Sequence, residues 1–304
     1  MRQCACASPS MYLRGQPRMI GQDSMSTLYH YTSLAGLIGI AQSKVLWGTH
    51  IGYLNDASEL RFAIGLLHER ISDRIGNSSC DESKCLVQLN EWLKSNILFK
   101  CLVFTCSFTT NGDLLSQWRG YCPVGKGVSL GFDPDELAEV AHDQDFELVP
   151  CVYEREKQLT LVDEWLTQVL EIAATCGEKP NDTNAGPTKS YYYAFRFKME
   201  CLLRTAAQIK HPGFVEEAEW RAITRSVWSI PNPGLHFRVG KTNLIPYIDF
   251  RLPLNSKNEL SLKHAYLGPT LETDLSLSSF ENYLKNHSAS LKKKPTPSKI
   301  PWRT

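Results

Sequence analysis

Residues 235–267 (LHFRVGKTNLIPYIDFRLPLNSKNELSLKHAYL) decide the fold class of this chain. Three apolar runs follow one another there, at 235–239, 245–251 and 262–267, and Gly, Asn and Pro punctuate the segments between them. Consecutive strands with short connections pair antiparallel, because a parallel crossover needs a dozen or more residues. The stretch therefore predicts a mixed α+β fold with largely antiparallel sheets and flanking helices, and it disfavours a doubly wound fold.

Outward from this stretch, strands and helices are interspersed without a strict strand–helix–strand order. Apolar alternation predicts further strands at residues 28–32, 45–48, 100–108, 127–132, 147–153 and 219–225. Helical periodicity predicts helices at residues 34–42, 57–71, 85–98, 114–121, 156–175, 190–209 and 280–286, with Ser33 and Asp56 as caps of the first two.

These elements predict one catalytic-type domain over residues 27–287 with a helical insertion near 156–210. Residues 1–26, with four Met among Pro, Gly and Ser, read as a flexible extension. Residues 288–304 carry Lys292, Lys293 and Lys294 with several prolines and predict a solvated basic tail.

Composition limits the classes of function. The formal net charge of +1 over 304 residues gives no global field to attract nucleic acid. No run approaches the roughly 20 apolar residues of a membrane helix, and no secretory signal opens the chain. Four of the ten cysteines, Cys101, Cys106, Cys151 and Cys201, fall within apolar runs. We therefore expect reduced thiols, a cytoplasmic location and no membrane association.

Neither a metal site nor a phosphate loop is predicted. The pairs Cys4/Cys6 and Cys80/Cys85 do not show the tight pairing usual in zinc knuckles, and no His pair follows at finger spacing. No G-x-G-x-x-G and no Walker loop occurs. The letters G-x-S-x-G occur at residues 127–131 (GVSLG), but they lie inside the predicted strand at 127–132 and not at the strand-to-helix turn of a nucleophile elbow. A Rossmann-type nucleotide site and a serine hydrolase elbow are thereby disfavoured.

The first of three polar clusters is YHYTS at residues 29–33. In a strand, His30 and Thr32 would share one face, while Tyr29, Tyr31 and Ser33 share the other. A strand His is often a satisfied core or edge residue, and that reading stays open beside a ligand-binding one.

The second cluster follows the apolar strand at 100–108. Ser107 ends that strand, and Gln117, Trp118, Arg119 and Tyr121 crowd the short helix after it. The aromatic rings could stack on a planar ligand, and Arg119 could hold a phosphate through its two-pronged donor geometry. A structural aromatic corner with arginine packed on it is the alternative.

The third cluster is HPGFVEEAEWR at residues 211–221. If the segment is extended, Glu217 and Glu219 lie on one face, where paired carboxylates suit acid–base or charge-stabilising chemistry. The alternative is an acidic loop in water.

Taken as a set, LYHYTSL, LSQWRGY, GVSLGF and EEAEWR resemble the motifs of an uncharacterised bacterial family catalogued as a domain of unknown function. The resemblance extends from about residue 28 to residue 269. It names no activity.

More remotely, a strand with His-Tyr-Thr-Ser followed at once by a helix resembles the opening of the ADP-ribosyltransferase superfamily. That resemblance implies an ADP-ribosyltransferase-like core with NAD as substrate. His30 would bind the NAD ribose with Thr32 and Tyr31 beside it, and Glu219 would stabilise the oxocarbenium charge. Glu217 would be its partner on the acceptor side.

The second position beside the nicotinamide has two candidates, Ser107 and Tyr53. Gln117, Trp118 and Tyr121 would complete the cofactor pocket, and either Arg119 or Arg221 would hold the pyrophosphate. The implied function is NAD-dependent ADP-ribosylation of a macromolecule, either protein or nucleic acid, as a bacterial toxin or antiviral effector. A regulatory partner such as an antitoxin fits that role.

Two other functions stay open. An NAD or nucleotide hydrolase could use the same pocket with water as acceptor. A non-catalytic nucleotide-binding or sensor module could use the three clusters for binding alone.

Overall fold

The computed structural model is a mixed α+β protein with a large, mostly antiparallel sheet, as the sequence predicts. It describes residues 27–54, 58–94, 101–181, 188–226, 230–287 and 289–301. The extension 1–26, Cys4, Cys6 and the predicted cap Asp56 lie outside these residues.

The strands are β1 (Leu28–Ser33), β2 (Val45–His50), β3 (Phe104–Thr109), β4 (Gly127–Phe132), β5 (Phe146–Pro150), β6 (Lys179–Asn181), β7 (Thr188–Ser190), β8 (Glu219–Thr224), β9 (His236–Val239), β10 (Leu244–Arg251), β11 (Leu260–Leu262), β12 (His264–Leu267), β13 (Ala289–Leu291) and β14 (Thr296–Pro297). The α-helices are α1 (Leu34–Ser43), α2 (Ser58–Ile75), α3 (Cys80–Lys94), α4 (Leu115–Tyr121), α5 (Pro134–His142), α6 (Arg155–Cys176), α7 (Tyr192–Phe197), α8 (Met199–Gln208) and α9 (Thr273–Asn286).

The main sheet branches at β3. Its path runs β14-β12-β4-β1-β3-β2-β10-β9, while β8 pairs with β3 and β5 pairs with β8. One edge of β3 is therefore covered by β8 from Thr105 to Thr109. The other edge is shared, because β2 pairs with Phe104 and Thr105 and β1 pairs only at Thr109.

The sheet separates two apolar cores. Ala222 and Ile223 are neighbours in β8, yet they belong to different cores because successive strand residues point to opposite faces. One core is formed with α2, α3, α6, α7 and α8. The other is formed with α1, α5 and α9.

The first strand–helix unit follows its local sequence. Ser33 ends β1, and its hydroxyl accepts a hydrogen bond from the Gly36 amide at 3.0 Å, which caps α1. Periodicity predicts an apolar stripe of Leu34, Leu37, Ile38 and Ala41 on this helix, and the prediction is partly wrong: Leu34 and Ile38 are exposed, while Ile40 is buried.

The single helix predicted at 190–209 is divided into α7 and α8 at Lys198. The backbone of Lys198 leaves helical geometry (φ −99°, ψ 5°), and its carbonyl accepts the indole N–H of Trp165 in α6 at 2.9 Å. The division between α7 and α8 therefore coincides with a tertiary contact, which the helical periodicity of the sequence cannot reveal. Within the predicted insertion, both helices pack against α6, and α8 also packs on α2 while α7 packs on α3.

The segment predicted as a solvated basic tail forms two short strands within its described part. β13 pairs in parallel with β11, and β14 pairs in parallel with β12. The lysine expected to be merely solvated, Lys292, forms an ion pair with Glu136 at 2.7 Å. Backbone pairing needs no apolar side-chain pattern, so composition did not indicate these two strands.

Within the described residues, no helix is long and apolar enough to span a bilayer. Each cysteine in this part of the chain carries a free thiol.

Two glycines provide a matched test of the packing. A Cβ on Gly131 in β4 would lie 2.7 Å from the Tyr29 ring and 3.0 Å from the His264 carbonyl, whereas a Cβ on Gly65 in α2 meets nothing within 4 Å. We expect Gly131→Ala to lower the free energy of unfolding by about 1–3 kcal/mol through overpacking. Gly65→Ala should raise it by about 0.5–1 kcal/mol through helix propensity. Denaturant unfolding measures both, and equal effects would contradict this packing.

Candidate active site

A pocket lies where β1 separates from β3. Beyond the single backbone pair of Tyr29 with Thr109, the His30 ring occupies the gap, and its Nδ1 lies 3.0 Å from the Ser107 carbonyl oxygen. A carbonyl only accepts, so Nδ1 carries the proton and donates. In the neutral ring, Nε2 is then left as an acceptor.

His30 is held neutral by its surroundings. Burial lowers the pKa of His30, and the hydrogen bond to Ser107 offsets this only in part. The ring can therefore accept a hydrogen bond at neutral pH without carrying a charge.

Segments far apart in the chain line this pocket. Its volume is about 50 Å³, and its walls are formed by Tyr29, His30, Tyr31, Ser107, Phe108, Thr109, Gln117, Tyr121, Glu217 and Glu219. Such a volume holds a few water molecules, whereas sites for whole drug-sized ligands are roughly 300–1,000 Å³.

A buried network of charges forms the floor beneath Glu219. The Arg221 guanidinium donates from Nε to Glu219 Oε1 at 2.8 Å and from Nη2 to Glu59 Oε2 at 2.7 Å. Lys210 Nζ donates to Glu217 at 2.6 Å and also to Glu219. The Lys210, Glu219 and Arg221 side chains are each no more than 5% exposed. Three carboxylates thus surround two cations.

The backbone brings Glu217 and Glu219 together differently from the prediction. Residues Pro212–Glu217 form a 3₁₀ helix and not an extended strand, and Ala218 then adopts a left-handed conformation with φ 41°. This turn lets both carboxylates reach Lys210. Glu217 and Glu219 therefore lie close together as expected, although the extended backbone assumed for this segment was wrong.

The network keeps Glu219 ionised. Burial alone would raise the pKa of Glu219, but the charge and hydrogen bonds of Arg221, reinforced by Lys210, lower it to about 2. Burial likewise opposes the charge on Lys210, yet Glu219 and Glu217 raise the pKa of Lys210 above its ordinary value. Glu219 is therefore a fixed negative charge and a poor proton acceptor at neutral pH.

Tyr121 stands at the pocket rim and is 39% exposed. Burial, followed by the charges of Glu217 and Glu219, raises the pKa of Tyr121 to about 12. Its hydroxyl keeps its proton at neutral pH and can donate a hydrogen bond.

Several predicted site residues lie outside the pocket lining. Arg119 is exposed on α4, and Arg221 is buried beneath Glu219. Trp118 is a core residue whose indole N–H donates to Asp113 at 2.8 Å. Tyr53 packs edge-on against His50, with ring centroids 5.4 Å apart. Thr32 is on β1 but does not line the pocket.

Of the two candidates for the second position, only Ser107 lines the pocket. Tyr31 and Gln117 line it as well. The Tyr31 hydroxyl donates to the Asn111 carbonyl and accepts from the Leu114 amide, each at 2.9 Å, which fixes the loop before α4.

Three network residues were missed by the sequence reading: Glu59, Lys210 and Tyr153. The Tyr153 hydroxyl accepts a hydrogen bond from the Glu219 amide at 2.9 Å. Lys210 directly precedes the third cluster, and its place beside Glu217 and Glu219 was the sequence signal that could have identified it. In the structure this lysine is buried. Nothing local distinguishes Glu59. In the described residues, no group of His, Cys, Asp and Glu side chains is placed to hold a metal ion.

The network makes Arg221 a strong stability determinant. Arg221→Met leaves Glu219 and Glu59 buried beside an uncharged chain, and we expect it to lower the free energy of unfolding by about 3–5 kcal/mol. The control Arg119→Met alters an exposed arginine and should change it by less than about 0.5 kcal/mol. Denaturant unfolding would contradict the network if the two variants were equally stable.

Acid should weaken the fold through Glu219. A carboxyl whose pKa falls from 4.5 to about 2 on folding stabilises the native state above pH 4.5 and loses that contribution as pH falls towards 2. The contribution is about 3 kcal/mol at one pKa unit per 1.36 kcal/mol. Unfolding free energy measured from pH 5 to pH 2 should fall more gently in Glu219→Gln than in the exposed control Glu216→Gln. Equal slopes would show that Glu219 is not the titrating group.

Comparison with known families reaches part of this site. A family model described as "Protein of unknown function (DUF2971)" matches residues 117–222, less than half of the chain. The matched residues include Gln117, Tyr121, Glu217 and Glu219, but they do not include β1 and its His30, which lie before the start of the match. Searches of curated proteins and of solved structures find no significant match. What the chain resembles over its middle third is therefore a family without an assigned activity.

Proposed function

We propose that this protein is an ADP-ribosyltransferase-type enzyme that transfers ADP-ribose from NAD to a macromolecule. The observation that carries the proposal is the convergence of His30, Ser107, Tyr121 and Glu219 on one pocket. These residues come from three separate segments of the chain, and each of them was predicted from the sequence as a candidate site residue. The support is geometric, since the matching family has no assigned activity.

His30 suits a ribose-binding role. With Nδ1 donating to Ser107, the Nε2 of the neutral ring accepts a hydrogen bond from a ribose hydroxyl. The position of the ring in the gap between β1 and β3 fixes its direction. It therefore binds and orients the sugar without acting as a nucleophile.

Glu219 suits charge stabilisation. Cleavage of the nicotinamide–ribose bond leaves a cationic ribose and a neutral leaving group. A carboxylate held ionised by Arg221 and Lys210 places a preorganised negative charge beside that cation. The Glu217 side chain is more exposed, at 17%, and would face the incoming acceptor.

The pocket is sized for only a part of the dinucleotide. At about 50 Å³ it must widen before nicotinamide and ribose enter, and we propose that the exposed rim residue Tyr121 is the side chain that moves. The adenosine half then lies outside, along the protein surface. A reducing, NAD-containing cytoplasm is the proposed setting, with a toxin or defence role as the proposed context.

The test follows nicotinamide release from NAD by purified protein, with cell lysate or nucleic acid as acceptor. We expect wild-type release to fall by about 100-fold or more in Glu219→Gln, the usual loss for one preorganised electrostatic group. The matched control Glu216→Gln changes an exposed neighbour and should retain wild-type release.

A second variant guards against loss of folding. Tyr121→Ala alters an exposed rim residue, so a folded protein with reduced release would implicate the pocket directly. Label that appears only as free ADP-ribose would identify a hydrolase. Absence of release from wild type with every acceptor would refute NAD chemistry here.

A further inference from the structure

A second ligand-binding surface lies on the sheet at β2, β10 and β9. The rings of Trp47, Tyr247 and His236 lie in sequence across these three strands, and with Arg238 they form what we term the aromatic face. Trp47 and Tyr247 have centroids 4.7 Å apart and are tilted by 35°. Tyr247 and His236 are 5.4 Å apart and tilted by 36°.

Strand register places all four side chains on one side of the sheet. Tyr247 pairs with Thr49 in β2 and with His236 in β9, and directly paired residues share a face. Trp47 and Arg238 are each two residues from a member of this row, so they point the same way.

The rings are not used as core. Trp47 is 54% exposed, and His236 is exposed as well. An exposed tryptophan at the centre of a strand forfeits much of the free energy that its burial would contribute. A planar ligand stacked on it would recover that contribution.

Arg238 adds a cation that is only partly satisfied. Its guanidinium lies 5.9 Å from the centroid of the Trp47 ring, and Nη2 donates to the Thr49 hydroxyl at 3.3 Å. Its Nε is buried without a hydrogen-bond partner among the described residues. Such an arginine is placed both to stack and to donate to an anion.

The surrounding sequence has a positive bias. No Asp or Glu occurs between Glu219 and Asp249, whereas Arg225, Arg238 and Lys241 do. Asp249 pairs with Trp47, at the end of the face away from the 240–243 loop. A polyanion would therefore run towards that loop, where Lys241 lies.

We propose that the aromatic face binds single-stranded nucleic acid, with bases stacked on the rings and phosphates held by Arg238 and Lys241. Base stacking on exposed sheet aromatics, combined with nearby basic groups, is a general solution for single strands. Aromatic rings and arginine also occur at protein interfaces, but Arg238 and Lys241 outnumber Asp249, the one carboxylate of β9, β10 and the loop between them, and this balance favours a polyanion. The proposal does not depend on NAD chemistry.

The experiment titrates the full-length protein, without NAD, into fluorescent oligo(dT) and oligo(U) of about 12 nucleotides, a length within the usual site size. Duplex DNA of the same length and AMP serve as comparison ligands. We expect both single strands to bind more tightly than the duplex and than AMP. The two oligonucleotides distinguish DNA from RNA as the preferred strand.

Variants identify the surface. Trp47→Ala should weaken binding by roughly 10- to 100-fold, the effect of losing one stacked base. Phe197→Ala, an exposed aromatic on α7, is the control and should bind as wild type. Arg238→Gln should reduce the salt dependence of log affinity by about 0.7, one phosphate contact, whereas Lys285→Gln on α9 should not.

Each outcome decides the proposal. Equal affinity for duplex and single strand, equal affinity for AMP, or no effect of Trp47→Ala in a folded variant would overturn it. His236→Ala provides a second exposed position, so failure of one variant to fold does not remove the test.

Discussion

The buried guanidinium of Arg221 is the interaction on which the candidate site depends. It ties β8 to α2 through Glu59 and to α8 through the Ala207 carbonyl, which accepts from Nη1 at 2.8 Å. Removing such charges from water is costly, and only near-complete pairing offsets that cost. The network therefore fixes the position of the helical layer relative to β8, and the orientation of Glu219 follows from it.

In this arrangement the Glu219 carboxylate both stabilises the fold and takes part in the proposed chemistry. A carboxylate whose pKa lies near 2 is unsuited to removing protons at neutral pH, but it is suited to balancing a developing cation. His30 is complementary, because burial keeps it uncharged. The pocket thus combines the ionised Glu219 with the neutral His30 ring, an arrangement that suits the charge stabilisation proposed above.

Much of the fold could be predicted from local patterns, and the site only in part. Ser33 as a cap and β4 with its continuous apolar run carried clear signals, because each element is specified by its own residues. The division at Lys198, the docking of β13 and β14, and the contribution of Glu59 depend on partners distant in sequence. No periodicity encodes such contacts. The three polar clusters marked the pocket because polar residues that interrupt buried strands need a reason to be there.

The shared edge of β3 has a mechanical consequence. Two leaves of the sheet, β14-β12-β4-β1 and β2-β10-β9, meet along one edge of β3, while β8 and β5 extend the sheet from its other edge. Among the described strand pairs, the first leaf is held to β3 only at Tyr29 and Thr109, with the His30–Ser107 bond beside it. Few backbone hydrogen bonds therefore resist a separation of the two leaves, and the pocket lies where they meet. A sheet that yields at this seam would widen the pocket without unfolding either leaf.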